Sequence, residues 1–193
     1  MAAFAPWLPA APARVLDCAC GIGLLAAGLA GAGYETSASD LSPDMVRRTR
    51  ALGVDARVCG WEDLPPSGDF DAVLCVGNSI SHARDRRAAL AAMAGALRPG
   101  GILVLTSRNW EREQPGGTEE VERGGRRVRV TRVWTPGEPT TLELTVGAVT
   151  ERLTVWPFTA DELRDDLRVA DLEPKLSTYT PEAERYLVTA ARP

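Results

Sequence analysis

The stretch Val15-Leu16-Asp17-Cys18-Ala19-Cys20-Gly21-Ile22-Gly23 constrains this chain more than any other. A short apolar run ends in an acid, turns through two glycines and enters an apolar helix. Residues without side chains at Gly21 and Gly23 let the main chain bend sharply and let a ligand touch it. The helix that follows starts with backbone N–H groups that lack partners within the helix. The stretch therefore predicts a first strand with a cofactor seated on the turn behind it.

The pattern that begins here repeats. Arg14–Cys18 reads as strand one and 23–32 as a helix of small residues closed by Gly33. Strand two is 34–39 and ends at Asp40. Ser42 then caps a helix whose first turn holds Pro43, running to about Leu52. Strand three is Asp55–Val58. Strand four, 70–76, is apolar on both faces and so belongs in the middle of a sheet. A helix over 84–97 is closed by Arg98-Pro99-Gly100-Gly101, and 102–106 forms strand five. Strands separated by helices imply a parallel sheet with right-handed crossovers.

Beyond Arg108 the texture changes. A polar loop is expected from Gln114 to Gly125. Segments 126–134, 141–146 and 149–156 read as β structure, with a turn at Pro136-Gly137-Glu138-Pro139. Arg127 and Arg129 are expected to face Glu143 across the hairpin. Thr159 and Glu162 form a capping-box pattern at the head of a helix over 159–170, and 172–178 and 185–191 supply the last strands. No repeat and no linker divides the 193 residues, so residues 1–193 are expected to form one domain.

Several classes fall away on composition. A net charge of −4 argues against a nucleic-acid partner. The arginines between Arg123 and Arg132 alternate with valines and have glutamates to face, which suits a solvated hairpin. No apolar run is long enough to span a bilayer, and residues 1–12 lack the basic start of a secretion signal. Cys18, Cys20, Cys59 and Cys75 show no paired zinc spacing, so no metal is expected. Free thiols fit a reducing, cytoplasmic setting.

Gly21-Ile22-Gly23-Leu24-Leu25-Ala26 also satisfies the loose dinucleotide pattern G-x-G-x-x-A. Asp17 decides against a dinucleotide, because a pyrophosphate is repelled by a carboxylate placed just before the turn. A ligand bearing an ammonium, a carboxylate and a sulfonium suits the same site. The glycine-turn N–H groups can take the carboxylate, Asp17 can attract the ammonium, and Asp40 can accept from both hydroxyls of a ribose.

On these residues the chain resembles the class I S-adenosylmethionine-dependent methyltransferases. Asp17, Gly21 and Gly23 look like their first motif, with Ala19 beside them. Asp40-Leu41-Ser42-Pro43-Asp44-Met45 looks like their D-x-S-x-x-M segment, and Gly60-Trp61-Glu62-Asp63-Leu64 like their adenine-edge loop. The resemblance implies a Rossmann-like seven-stranded α/β sheet with a small antiparallel insertion after strand five, over about 111–157, roofing the substrate side. It implies S-adenosylmethionine held by Asp17, Ala19, Gly21, Gly23, Asp40, Leu41, Met45, Gly60, Trp61, Glu62, Cys75 and Val76.

Gly77-Asn78-Ser79-x-x-His82 and Ser107-Arg108-Asn109-Trp110 are similar to the corresponding stretches of the glycine and sarcosine N-methyltransferases. That likeness implies Arg108 on a substrate carboxylate, with Asn78 and Ser79 lining the amine and the methyl. His82, the only histidine, belongs to the residue type that titrates near neutrality and is a candidate for the amine's proton. The implied acceptor is a small amine or amino-acid-like metabolite. A small-molecule O-methyltransferase and a non-catalytic binder of the same cofactor are alternatives. Only about a dozen residues precede Val15. The implied pocket is therefore open, closed by a second subunit of a homo-oligomer, or trimmed.

Overall fold

The alternation of periods produces an orderly chain of elements in a computed structural model that describes residues 4–112, 117–123, 126–133 and 139–193. The first half runs β1 (Arg14–Cys18), α1 (Leu24–Gly31), β2 (Glu35–Asp40), α2 (Pro43–Ala51), β3 (Asp55–Val58), β4 (Phe70–Cys75), α3 (Arg86–Ala96) and β5 (Leu97–Arg108). The second half runs β6 (Thr118–Arg123), β7 (Arg126–Val133), β8 (Thr140–Val146), β9 (Val149–Val155), α4 (Ala160–Val169), β10 (Glu173–Ser177) and β11 (Arg185–Ala191). Among the described residues, no helix is long and apolar enough to cross a membrane.

Seven strands form one sheet in the order β10-β11-β5-β4-β1-β2-β3. The pairs from β5 to β3 are parallel, and β11 runs antiparallel to both of its neighbours. The order reverses between β1 and β4, the place where ligands bind at the carboxyl ends of the strands in open α/β sheets. The central strands are apolar on both faces because helices cover both. Leu90, Met93, Leu163 and Leu167 of α3 and α4 close over Val73, Leu103 and Leu105 on one face. Leu29 of α1 packs with Val15, Leu74 and Val104 on the other. Each fully buried leucine contributes roughly 1.5–3 kcal/mol relative to exposure.

Local chemistry sets the helix starts. The Ser42 hydroxyl accepts from the Met45 N–H at 3.4 Å, with Pro43 in the first turn. Asp85 caps α3 through the Ala88 N–H at 2.9 Å, so α3 begins two residues later than the sequence suggests. Thr159 and Glu162 complete the expected capping box of α4. Buried Asp166 joins α4 to α3 by accepting from Arg86 Nε at 2.7 Å and Arg87 Nε at 2.6 Å. The Arg86 guanidinium lies 4.4 Å from the Phe158 ring centre.

Three expectations change. Arg98–Gly101 is not a plain helix-ending turn: β5 starts at Leu97, opposite Phe70, and a bulge separates that pair from Ala72 and Ile102. The stretch expected as a polar loop contains β6, paired antiparallel with β7 from Thr118 to Arg123. That strand is nearly all polar, so it carries no alternation for a sequence reading to detect. Finally, the register sets Thr131 opposite Glu143 and places Arg129 between Thr145 and Glu120. Arg129 therefore meets Glu120 at 3.0 Å and Arg127 approaches it at 3.8 Å, while Glu143 accepts from Arg152 at 2.8 Å. Trp134 and the Pro136-Gly137-Glu138 part of the expected turn lie outside the described residues. The insertion forms a separate four-stranded sheet in the order β6-β7-β8-β9.

Candidate cofactor and acceptor site

The turn after β1 bends through left-handed backbone at three positions, with φ of 60° at Ala19, 55° at Gly21 and 80° at Gly23. Gly23 has no room for a side chain, because an added Cβ would stand 2.5 Å from Thr49 Oγ1. At Gly21 nothing lies within 4 Å of that position, so its face is open to a ligand.

Asp17 sits beneath this turn, 1% exposed, and neither carboxylate oxygen has a hydrogen-bond partner. Burial pushes its carboxyl up from 3.8 to about 7, the Ala26 amide opposes this without completing a bond, and the nearby Asp40 charge adds to the rise. A buried carboxylate left this way is unstable unless a cation arrives.

Asp40 closes the other side of the cradle. Its Oδ2 accepts from the Gly21 N–H at 2.8 Å and its Oδ1 from the Ser42 N–H at 2.9 Å. Each oxygen keeps a lone pair for a further donor. Leu41 beside it is 76% exposed. An added Cβ at Gly60 would stand 3.6 Å from Leu41, 3.7 Å from Asp63 and 3.9 Å from Glu62. The structure thus brings Leu41, Gly60 and Glu62 together as one wall. Trp61 is half-buried and packs on the main core, with Cys18 and Cys75 in the same cluster. Met45 is half-buried, and Val76 packs on the opposite core.

Thr49 escapes sequence reasoning. It is a buried threonine in the last turn of α2, and its hydroxyl donates to the Gly21 carbonyl at 3.1 Å. It props the glycine turn from behind, and only its polarity inside a helix signals that.

On the acceptor side two of the expected contact side chains bond within the protein. Asn78 is 7% exposed, with φ of 73°. Its Oδ1 accepts from the Arg108 N–H at 2.9 Å and the Ser107 hydroxyl at 3.3 Å, and its Nδ2 donates to Ser81 Oγ at 2.8 Å. The carboxamide that the motif aims at an acceptor is turned inward, because β5 runs alongside and its amide needs an acceptor. Ser79 likewise donates to the Val76 carbonyl at 2.7 Å. His82 ends the short 3-10 turn of Ser79–His82 and is exposed. Arg108 stands at the end of β5, directly across from Arg185. Among the described residues, no group of three or more His, Cys, Asp or Glu is arranged to hold a metal.

Residues 15–101 match the family model described as "Methyltransferase domain". That match takes in a little under half of the chain. Its curated relatives include the ubiquinone biosynthesis O-methyltransferase of Xanthomonas oryzae pv. oryzae (strain PXO99A), 42% identical over 110 residues that make up 53% of this chain and 46% of that protein. The chain thus spans about half the length of the curated relatives it matches. Among solved structures it is similar to CalS10 bound to S-adenosylmethionine, an amino pentose methyltransferase from Micromonospora echinaspora, at 26% identity, TM-score 0.78, over 95% of this chain and 84% of the other. It is also similar to the sugar N-methyltransferase KedS8 from Streptoalloteichus, at 26% identity, TM-score 0.72, over 94% and 81%.

The residues of this cradle fit S-adenosylmethionine, the molecule bound in the similar CalS10 structure. The unpartnered Asp17 carboxylate suits an ammonium, the spare lone pairs of Asp40 suit ribose hydroxyls, and the open face at Gly21 suits a carboxylate.

Proposed function

We propose that the chain transfers a methyl group from S-adenosylmethionine to a small-molecule acceptor, most simply an amine or amino-acid-like metabolite. The observation that carries this reading is Asp17, buried and without a partner beneath a left-handed turn, with Asp40 bracing the turn from the other side. When bound, the cofactor supplies a methyl group on a positively charged sulfur, open to displacement by a neutral nucleophile. Asp17 holds the ammonium, and Asp40 together with the Leu41–Gly60–Glu62 wall holds the nucleoside. With Ala19, Met45, Trp61, Cys75 and Val76 flanking them, these contacts fix where the methyl group points. Catalysis of this kind rests on alignment and exclusion of water rather than on a covalent partner.

The acceptor enters over the ends of β4 and β5, under the insertion as a roof. Ser79, His82 and Arg108 border that approach, with Arg108 suited to a carboxylate and His82 or solvent receiving the amine's proton. The 26% identical sugar and amino pentose methyltransferases and the Gly77-Asn78-Ser79 motif support an amine. The Xanthomonas relative, at 42% identity, supports a second reading with a hydroxyl acceptor. Fold and cofactor cradle do not choose between them. The four free cysteines support a reducing compartment.

Titration calorimetry with S-adenosylmethionine tests the cradle, and turnover across a panel of small amines, amino acids and phenols tests the acceptor. Binding together with methylated amine products is the expected result. Absence of binding sinks the cofactor reading, and phenol-only turnover moves the chain to the O-methyl class.

A further inference from the structure

Asn78 has a hydrogen-bond environment that a substrate contact does not need. Its backbone N–H donates to the Thr106 carbonyl at 3.2 Å, and its side chain accepts from the Arg108 N–H, so the ends of β4 and β5 are joined twice. Its Nδ2 and its carbonyl both engage the Ser81 hydroxyl at 2.8 Å. Ser81 is fully buried, and its own carbonyl accepts from the Trp156 N–H at 2.7 Å. Trp156 directly follows β9, the last strand of the insertion. A continuous set of bonds therefore runs from β4 through Asn78 and Ser81 to the edge of the second sheet. The backbone at Asn78 is left-handed, a conformation asparagine adopts more readily than most residues and one that aims the carboxamide along this path.

We propose that Asn78 is a positioning residue that locks Arg108 and the insertion in place relative to the strand beneath the cofactor. It acts on the acceptor site through Arg108 and Trp156 and does not itself touch the acceptor. Only the coupling to cofactor occupancy rests on the cofactor reading above; the static lock does not.

Amide hydrogen exchange, resolved by mass spectrometry on the whole chain, tests both parts. Asn78→Gly removes the carboxamide and keeps the left-handed backbone without steric strain, while Ser81→Ala cuts the path one residue further on. Without ligand, Asn78→Gly should raise exchange by about fivefold at both the Arg108 and the Trp156 amides, the scale of one lost hydrogen bond. Ser81→Ala should raise it at Trp156 with Arg108 unchanged. Asn78→Asp keeps the acceptor and loses the donor, so it should restore protection at Arg108 alone. With S-adenosylhomocysteine as the probe, the native protein should show further slowing at Trp156, and Asn78→Gly should bind the probe within about threefold of native affinity yet lose that slowing.

A purely local role predicts a change at Arg108 and none at Trp156, and that result overturns the lock. Slowing at Trp156 that persists in Asn78→Gly overturns the coupling. Failure of the native protein to bind the probe removes the cofactor reading and the coupling with it, and leaves the ligand-free comparison to decide the lock.

Discussion

Replacing Asp17 with asparagine should make the ligand-free protein more stable while weakening its hold on the cofactor. The unfolded chain ionises this carboxyl near 3.8, and the folded chain does so only near 7. Between those values the unfolded state has released the proton and the native state still holds it. Stability therefore falls as pH rises from about 4 to about 7 and levels off above that. The displacement amounts to about 4 kcal/mol at full extent, at 1.36 kcal/mol per pH unit. Local relaxation and water entry reduce what is observed, and a gain of about 1–3 kcal/mol at pH 8 is expected for Asp17→Asn. In a chain of this size that raises Tm by about 3–10 °C. The native and variant curves should draw together near pH 4, where the native carboxyl is protonated and the unfolded one nearly half so. Saturating S-adenosylhomocysteine should also close the gap at pH 8, because the bound ammonium supplies the missing partner for Asp17 alone. Calorimetry should show the variant binding about 10–100-fold more weakly, the worth of a charge-assisted hydrogen bond. Thermal melts by circular dichroism across pH 4–8 give the stability arm. A variant less stable than native at pH 8, or one with the same pH slope, refutes the reasoning about the orphaned carboxylate.

Three further outcomes follow from other contacts. Ala19→Gly relieves a left-handed alanine at about 1–2 kcal/mol and loses about 0.4–1 kcal/mol to a looser unfolded chain, so denaturant titration should show a net gain of up to about 1.6 kcal/mol. Asp40→Ala removes two amide partners of the turn and the proposed ribose contact, and calorimetry should show cofactor affinity at least about 100-fold lower; a loss under about threefold counts against that contact. Asp166→Ala strands Arg86 and Arg87 at the α3–α4 seam and should cost about 3 kcal/mol in urea unfolding, with cofactor affinity unchanged in the same preparation.

How much of this was legible before any coordinates depends on which kind of contact carried it. The parallel half and α4 could be read because their signals are local: apolar runs, the Ser42-Pro43 and Thr159–Glu162 caps, and glycines closing helices. The juxtaposition of Asp17, Gly21 and Asp40 could be read because they lie at fixed distances along one βαβ unit. Strand β6 could not, since Thr118-Glu119-Glu120-Val121-Glu122-Arg123 owes its conformation to pairing with β7 and not to its own pattern. The partner of Glu143 was missed for the related reason that register is decided by the whole hairpin, and a shift along it changes every facing pair. Thr49 and Ser81 do their work through tertiary bonds to the Gly21 carbonyl and to Asn78 and Trp156. Nothing in their immediate neighbours announces it. The inward turn of Asn78 is the same lesson, because a motif supplies the residue and the adjoining strand decides what its carboxamide meets.

The second sheet keeps its hydrogen-bond ladder to itself. Among the described residues its four strands pair only with one another, while Asp17, Asp40 and the Leu41–Gly60–Glu62 group lie within the first sheet and its loops. A chain divided this way has two parts that can vary on different schedules. On the proposed function, changes in the strands from Thr118 to Val155 can reshape the acceptor side without disturbing the register around Asp17 and Asp40, provided the join at Ser81 survives. On that reading the molecule is suited to diversification of what it modifies, with the donor chemistry inherited intact.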